Sequence, residues 1–193
     1  MKDEIKNRLD KNLHRVRNLV DIFENYATKK TNKVTDTDIL RAATVFLHAT
    51  LEDFLRSIAA WKLPLASPKI LDNIPLAGKE KGQKISLGDL ANKRSMKIDE
   101  LIKLSVNEYL ERSNYNNDRD ISNLLKAIGI TVKKVEGTSN DISELMKRRH
   151  QIVHRVDRRP KTGKAVFLTR DDVNRWISVV EKFTGKVLNE IFD

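Results

Sequence analysis

The segment Lys147-Arg148-Arg149-His150-Gln151-Ile152-Val153-His154-Arg155 gathers the residue types that move protons and bind anions, and it holds two of the four histidines. Three kinds of chemistry compete for it. His150 and His154 stand four apart, on one face of a helix, as zinc ligands do in HExxH sites. Against a metal, Gln151 occupies the place of the general-base glutamate, and the cationic neighbours oppose a dication. A second reading is two histidines on a charged helix surface with no special role. The third is phosphate-ester chemistry, in which an imidazole titrating near neutrality moves protons while a guanidinium holds phosphoryl oxygens.

The distribution of charge bears on that choice. The 193 residues include 37 Lys and Arg against 27 Asp and Glu, a net charge of +10. Lys62–Lys97 and Asn140–Lys164 each hold eight basic and three acidic residues, and the remainder is neutral. Two basic segments on a neutral body suit a polyanionic partner, nucleic acid first. The alternative is a solvated loop and a charged helix face. With 39% hydrophobic residues the chain can bury a core, and its length suits one domain, residues 1–193. There is no cysteine, hence no disulfide, thiol nucleophile or Cys-based metal site. The N-terminal MKDEIKNRLDKN lacks the apolar core of a secretory signal, and no apolar run approaches the ~18 residues of a membrane span. The expectation is a soluble, cytoplasmic protein without membrane partners.

Helical periodicity must position the segment. Ile5, Leu9, Leu13, Val16, Val20 and Phe23 form one stripe on a first helix ending near Ala27. Thr35-Asp36-Thr37-Asp38 offers N-caps for a second helix with the stripe Ile39, Ala42, Ala43, Phe46, Thr50, Phe54 and Ile58, ending before Pro64. Residues 62–95 carry three of the four prolines and three of the seven glycines, so they predict a basic loop or insertion without a long helix. Helix resumes over Ile98–Glu111. A short helix follows near Asp120–Ile128, stopped by Gly129, and an extended piece near Ile130–Val135. Ser139-Asn140-Asp141 caps a helix running toward Arg155, and Thr169-Arg-Asp-Asp172 opens the last one, with Val173, Trp176, Ile177, Val180, Phe183, Val187 and Ile191 as its stripe. The pattern predicts an all-α bundle of four long helices plus a short one. Trp61 and Trp176 fall on apolar stripes and belong to the core, and no aromatic platform for stacking bases is evident.

Arg149-x4-His154 resembles the Arg-x(4–6)-His signature of the HEPN superfamily (higher eukaryotes and prokaryotes nucleotide-binding), and the run Arg149–Asp157 is most similar to its RiboL-PSP subgroup. Phe46–Leu55, Ile121–Ile130 and the helix from Thr169 share that resemblance, which covers most of residues 38–192 but not 62–95. It implies a helical bundle and a metal-independent endoribonuclease of a toxin–antitoxin or antiviral system, with no cofactor. It also implies a homodimer with paired motifs and a cognate antitoxin or defence partner. Arg149 and His154 are then the catalytic pair, His150 fills the polar position beside the arginine, and Glu52 is the acidic residue of the second helix that faces the site. Arg148 also meets the loose spacing, but only Arg149 puts His150 next to the signature arginine.

Residues five apart on a regular helix are rotated by about 140°, so Arg149 and His154 do not share a face. Either the helix loosens near His154 or two copies line one cleft from both sides. In the implied reaction a ribose 2′-hydroxyl attacks the adjacent phosphate, His154 acts as general base or acid, and Arg149 stabilises the transition state. Arg148, Arg155, Arg158, Arg159, Lys161 and Lys164 would position phosphates. His48 reads as packing, His14 as solvated, and Glu52 and Asp53 equally as partners in ion pairs at the edge of the core. The rival reading is a non-catalytic HEPN module that binds RNA or nucleotide, or a dimerising adaptor. A DNA-binding regulator fits less well, because an extended segment follows the short helix where a recognition helix would stand.

Overall fold

A computed structural model describes residues 1–27, 37–131, 139–159 and 161–192. Among the described residues eight α-helices follow one another: α1 Lys2–Ala27, α2 Asp38–Lys62, α3 Pro68–Leu71, α4 Leu87–Ala91, α5 Ile98–Arg112, α6 Asp118–Ala127, α7 Ser139–Arg155 and α8 Arg170–Phe192. A 3-10 turn at Leu63–Leu65 joins α2 to the insertion. Among the described residues the extended pairing is a single antiparallel bridge between Arg158 and Ala165. The all-α expectation holds, with α5 joining the four long helices as a fifth.

Helix α2 is the hub, packing against α1, α5, α7 and α8. That position changes its stripe. Of the expected stripe Ala43, Thr50, Phe54 and Ile58 are buried, beside Leu40, Leu47, Leu51, Leu55 and Ala59, whereas Ala42 and Phe46 lie exposed. A helix contacted from several sides buries a broad face, so the narrow stripe through Ile39, Ala42 and Phe46 was displaced toward its polar edge. Phe46 instead lies under the guanidinium of Arg15, 4.8 Å from the ring centroid. The stripes of α1 and α8 are buried as expected, except that the outermost residues Phe23 and Ile191 are only partly covered. Trp176 is in the core, and Trp61 stacks on Phe192 with centroids 4.9 Å apart.

Caps set the ends of the elements. Asn117 accepts from the backbone N–H of Asp120 at 2.9 Å to start α6. Gly129, at φ +84°, ends it, with its N–H on the Lys126 carbonyl and that of Ile130 on the Leu125 carbonyl. This is the Schellman arrangement, in which the left-handed residue is ordinarily glycine. Thr169 and Asp172 exchange hydrogen bonds at 3.0 Å in each direction, the capping box that opens α8. Thr37 flanks α2 without capping it: its hydroxyl accepts from Arg41 at 2.6 Å. Thr35 and Asp36, and the extended piece expected beyond Thr131, lie outside the described residues.

The insertion has little regular structure, as its prolines and glycines dictate. Ser86 and Asp89 form a capping box for the five-residue α4, and Lys79 pairs with Asp89 at 2.8 Å. The hydrogen bond from Lys79, and those from Ser86, hold the Asp89 carboxyl down at about 2. Among the described residues no helix is long and apolar enough to cross a membrane.

Candidate functional site

Helix α7 carries the Arg–His segment, anchored from below by Ile142, Leu145 and Met146 in the core. From Arg149 onward the helix rises out of the bundle: Arg149 is half-buried, and His150, Val153, His154 and Arg155 are exposed. The helix stays α-helical through Arg155. It does not loosen near His154, and Arg149 and His154 keep their angular separation.

A cavity of about 440 Å³ opens along this helix, lined by Met146, Lys147, Arg149, His150, Gln151 and Arg155, with Asn116 across from them. His154 is not among its lining residues. It lies beside the rim against His150, ring centroids 4.5 Å apart and tilted by 46°. Within one chain, then, Arg149, His150 and Arg155 face a common opening, and His154 joins it only through the His150 ring. Val153 and Val156, 47% and 76% exposed, flank His154 with apolar surface.

The two adjacent arginines have opposite fates. Arg148 turns inward. Its Nη2 donates to Asp157 Oδ2 at 3.0 Å and to the carbonyls of Val166 and Phe167 at 3.1 and 2.9 Å. Burial pushes its pKa below the usual arginine value, while Asp157 raises it and Arg41 lowers it further. The expectation that Arg148 positions phosphate is therefore corrected: its guanidinium is turned inward, with Nη2 bound to Asp157 and two backbone carbonyls. Arg149 makes no salt bridge to a described residue and lines the cavity.

Asp157 is the residue that sequence reasoning missed. Fully buried, it also accepts from Arg41 Nε at 2.8 Å. Val156 and Asp157 both adopt left-handed backbone, at φ 49° and 56°. The Asp157 N–H reaches back to the Gln151 carbonyl at 3.1 Å and its carbonyl accepts from Val166 at 2.8 Å. Two successive left-handed residues without glycine are costly, and the double ion pair holds them there. Asp157 thus fixes both the end of α7 and the Arg158–Ala165 turn that carries Lys161 and Lys164. Arg158, Arg159, Lys161 and Lys164 are exposed around that turn. The available signal was an acidic residue set between Arg155 and Arg158 in the basic window.

Under the motif, α2 supplies His48 and Glu52. His48 is 1% exposed, its Nδ1 3.8 Å from Glu52 Oε2, and Glu52 Oε1 accepts from the Tyr115 backbone N–H at 3.2 Å. Burial lowers the His48 pKa; Glu52 works against that, and the charge of Arg149 adds to it. The charges of Glu52 and Arg149 thus act on the His48 ring with opposite sign. Asp53 faces away, to Arg8 at 3.3 Å, and His14 is a surface residue bonded to Asn18. Among the described residues no group of three or more His, Asp or Glu is placed to hold a metal ion.

A model of the family described as RiboL-PSP-HEPN matches residues 10–192 of the chain. No curated protein and no solved structure matches it.

Proposed function

The chain belongs to the RiboL-PSP-HEPN family, and from that premise we propose that it is a metal-independent endoribonuclease acting as a homodimer in a toxin–antitoxin or antiviral defence system of the cytoplasm. The family supports a nuclease or RNA-related function in general terms. The observation that carries the finer reading is the division of labour on α7. Arg148 is consumed by Asp157, while Arg149 enters a basic cavity with His150 and Arg155.

The chemistry follows from the groups. The 2′-oxygen of a ribose forms a bond to the adjacent phosphorus as His154 removes its proton. The bond from phosphorus to the 5′-oxygen breaks, and that oxygen takes up a proton. The products are a 2′,3′-cyclic phosphate and a 5′-hydroxyl. Arg149 stabilises the charge that builds on the non-bridging oxygens, an effect whose loss costs about 10²–10³ in rate. Arg155, Arg158 and Arg159 hold flanking phosphates and carry no sequence information of their own.

A twofold dimer resolves the separation between Arg149 and His154. Isologous contact brings each motif against its twin, so that the arginine of one copy meets the histidine of the other in a shared groove. The exposed Val153 and Val156 beside His154 supply apolar surface for such a contact. A cognate antitoxin or defence partner would hold the activity in check.

The decisive experiment is end-group analysis of labelled RNA incubated with the protein in EDTA. Fragments ending in 2′,3′-cyclic phosphate are expected, and a single 2′-deoxy substitution at the scissile nucleotide should block cleavage there. The displacement of His154 from the Arg149 cavity favours one second reading, a module that binds RNA or nucleotide, or an adaptor, without cutting. RNA binding with no product in that assay would establish it.

A further inference from the structure

The loop 113–117 between α5 and α6 parts two openings. Asn116 lines the first with Arg149, while Ser113, Asn114 and Tyr115 line a second cavity of about 650 Å³. The divider is fixed from α2. Arg56 Nη2 donates to the Ser113 carbonyl at 2.7 Å, and the Tyr115 N–H donates to Glu52 Oε1 at 3.2 Å. The Tyr115 side chain is buried as well, so the loop holds the two openings in one relation. On its far side the second cavity shares Tyr109 and Arg112 with a third, of about 290 Å³, which reaches Lys81 in the insertion. A row of adjoining openings suits an extended strand better than a compact ligand.

The second cavity is made up like a site that reads a base. Apolar Ile74 and Leu124 line it together with Arg112, Asn114, Asp120 and Asn123. The side chains of Arg112, Asn114 and Asn123 make no hydrogen bond or salt bridge to a described residue. Asp120 and Asn123 stand three apart on α6, on one face. Asp120 Oδ2 accepts from Asn117 Nδ2 at 2.7 Å, and no described donor takes Oδ1. An ionised carboxylate only accepts and repels phosphate, so its counterpart on a strand is the amino group of a base. Adenine, cytosine and guanine carry one, whereas uracil sets two carbonyls around a single N–H. Tyr109, 39% exposed, offers a ring face for stacking, and Arg112 beside it a cation for a flanking phosphate.

We propose that this cavity is a base-reading subsite for single-stranded RNA, holding a nucleotide beside the one cut in the Arg149 cavity. Asp120 and Asn123 bind the amino-bearing edge of its base, Arg112 binds its phosphate, and the strand crosses the loop at Asn116. The inference deepens the endoribonuclease reading and rests on it for the identity of the strand. A duplex keeps its base edges paired, so the subsite selects unpaired RNA. Uracil is the base that it rejects.

Two experiments test it. The first cuts a random-sequence single-stranded RNA pool in EDTA and sequences the ends, with the wild-type chain, Asp120→Asn and Asn123→Ala. At one fixed position beside the cut, uracil should be depleted about tenfold by the wild type, the size of one lost base contact. Asparagine can donate to a uracil carbonyl, so Asp120→Asn should even out that position, and Asn123→Ala should weaken the preference. The second measures fluorescence anisotropy with 2′-O-methyl hexamers of A, C or U, which have no 2′-hydroxyl to attack. The wild type should bind the A and C hexamers about tenfold more tightly than U. Asp120→Asn should erase that difference, while Arg112→Ala should weaken all three alike. An even base profile in the wild type, a profile unchanged in both variants, or equal or absent binding of the three hexamers overturns the subsite. If Asp120→Asn does not fold, Asn123→Ala, at an exposed position, decides. If the wild-type protein cuts no RNA, the cleavage reading fails while the hexamers still decide the subsite.

Discussion

Asp157 holds Arg148 by one hydrogen bond of 3.0 Å, and that contact separates two neighbouring arginines into one bound inside the fold and one lining the cavity. Asp157 Oδ1 and Arg148 Nε are both buried without a partner, so the pair lacks the two-pronged fork of an ideal arginine–carboxylate contact. Its strength comes instead from sharing Asp157 Oδ2 with Arg41, at 2.8 Å. Removing the carboxylate leaves two guanidinium groups with little access to water and less to face.

The first expectation concerns that triad. Asp157→Ala should destabilise the fold by about 3–5 kcal/mol, the usual cost of breaking a buried ion pair from one side. Asp157→Asn keeps the size and the tolerance for left-handed backbone and should lose less. Denaturant midpoints of the two variants check this; an alanine variant as stable as wild type would show that the triad does not hold the end of α7.

Arg148→Ala and Arg149→Ala should separate stability from activity. The first loses three hydrogen bonds to Asp157, Val166 and Phe167 and should melt well below wild type. The second should melt like wild type and lose at least about 10²-fold in RNA cleavage. Thermal melts beside a cleavage assay on both proteins decide, and the opposite pattern would exchange their roles.

Much of this architecture was legible in the chain, and what was not has physical reasons. Gly129 marked the end of α6 because only glycine takes its φ without strain, and Thr169 with Asp172 marked the start of α8 because a capping box is a local interaction. The α2 stripe caught Ala43, Thr50, Phe54 and Ile58 but strayed at Ala42 and Phe46, because four helices contact α2 and periodicity reports one face at a time. Arg148 and Asp157 escaped for another reason. Their meeting depends on a left-handed turn at Val156 and Asp157, with neither glycine nor asparagine to announce it. His48 read as packing and is buried, but nothing local reveals that the charge of Arg149 bears on its ring.

Acid should reveal His48. Below its ordinary value of 6.5 the unfolded imidazole takes up a proton, while burial keeps the native ring neutral to lower pH. The unfolded state then binds more protons, so stability is complete above that value and falls as the pH drops through it. His48→Gln should flatten the pH dependence of the melting temperature below pH 6.5 relative to wild type. An unchanged slope would contradict a buried neutral histidine.

Gly129→Ala should cost about 1 kcal/mol, the price of left-handed backbone for a residue with a side chain. A Cβ there meets nothing within 4 Å, so the loss is conformational and not steric. Denaturant titration measures it. A loss well above that size would point to a contact at the α6 terminus that the fold does not show.

The most direct trial mixes two inactive proteins. Arg149→Ala and His154→Ala chains, each expected to be inactive alone, are combined under conditions that exchange subunits and assayed on RNA in EDTA. A groove shared across a twofold axis restores one arginine facing one histidine in every mixed dimer. With random pairing, half the dimers regain one of two sites, and about a quarter of wild-type activity should return. Undiminished cleavage by either variant alone, or no recovery from a mixture in which mixed dimers are shown to form, would contradict an Arg149–His154 site assembled between two copies.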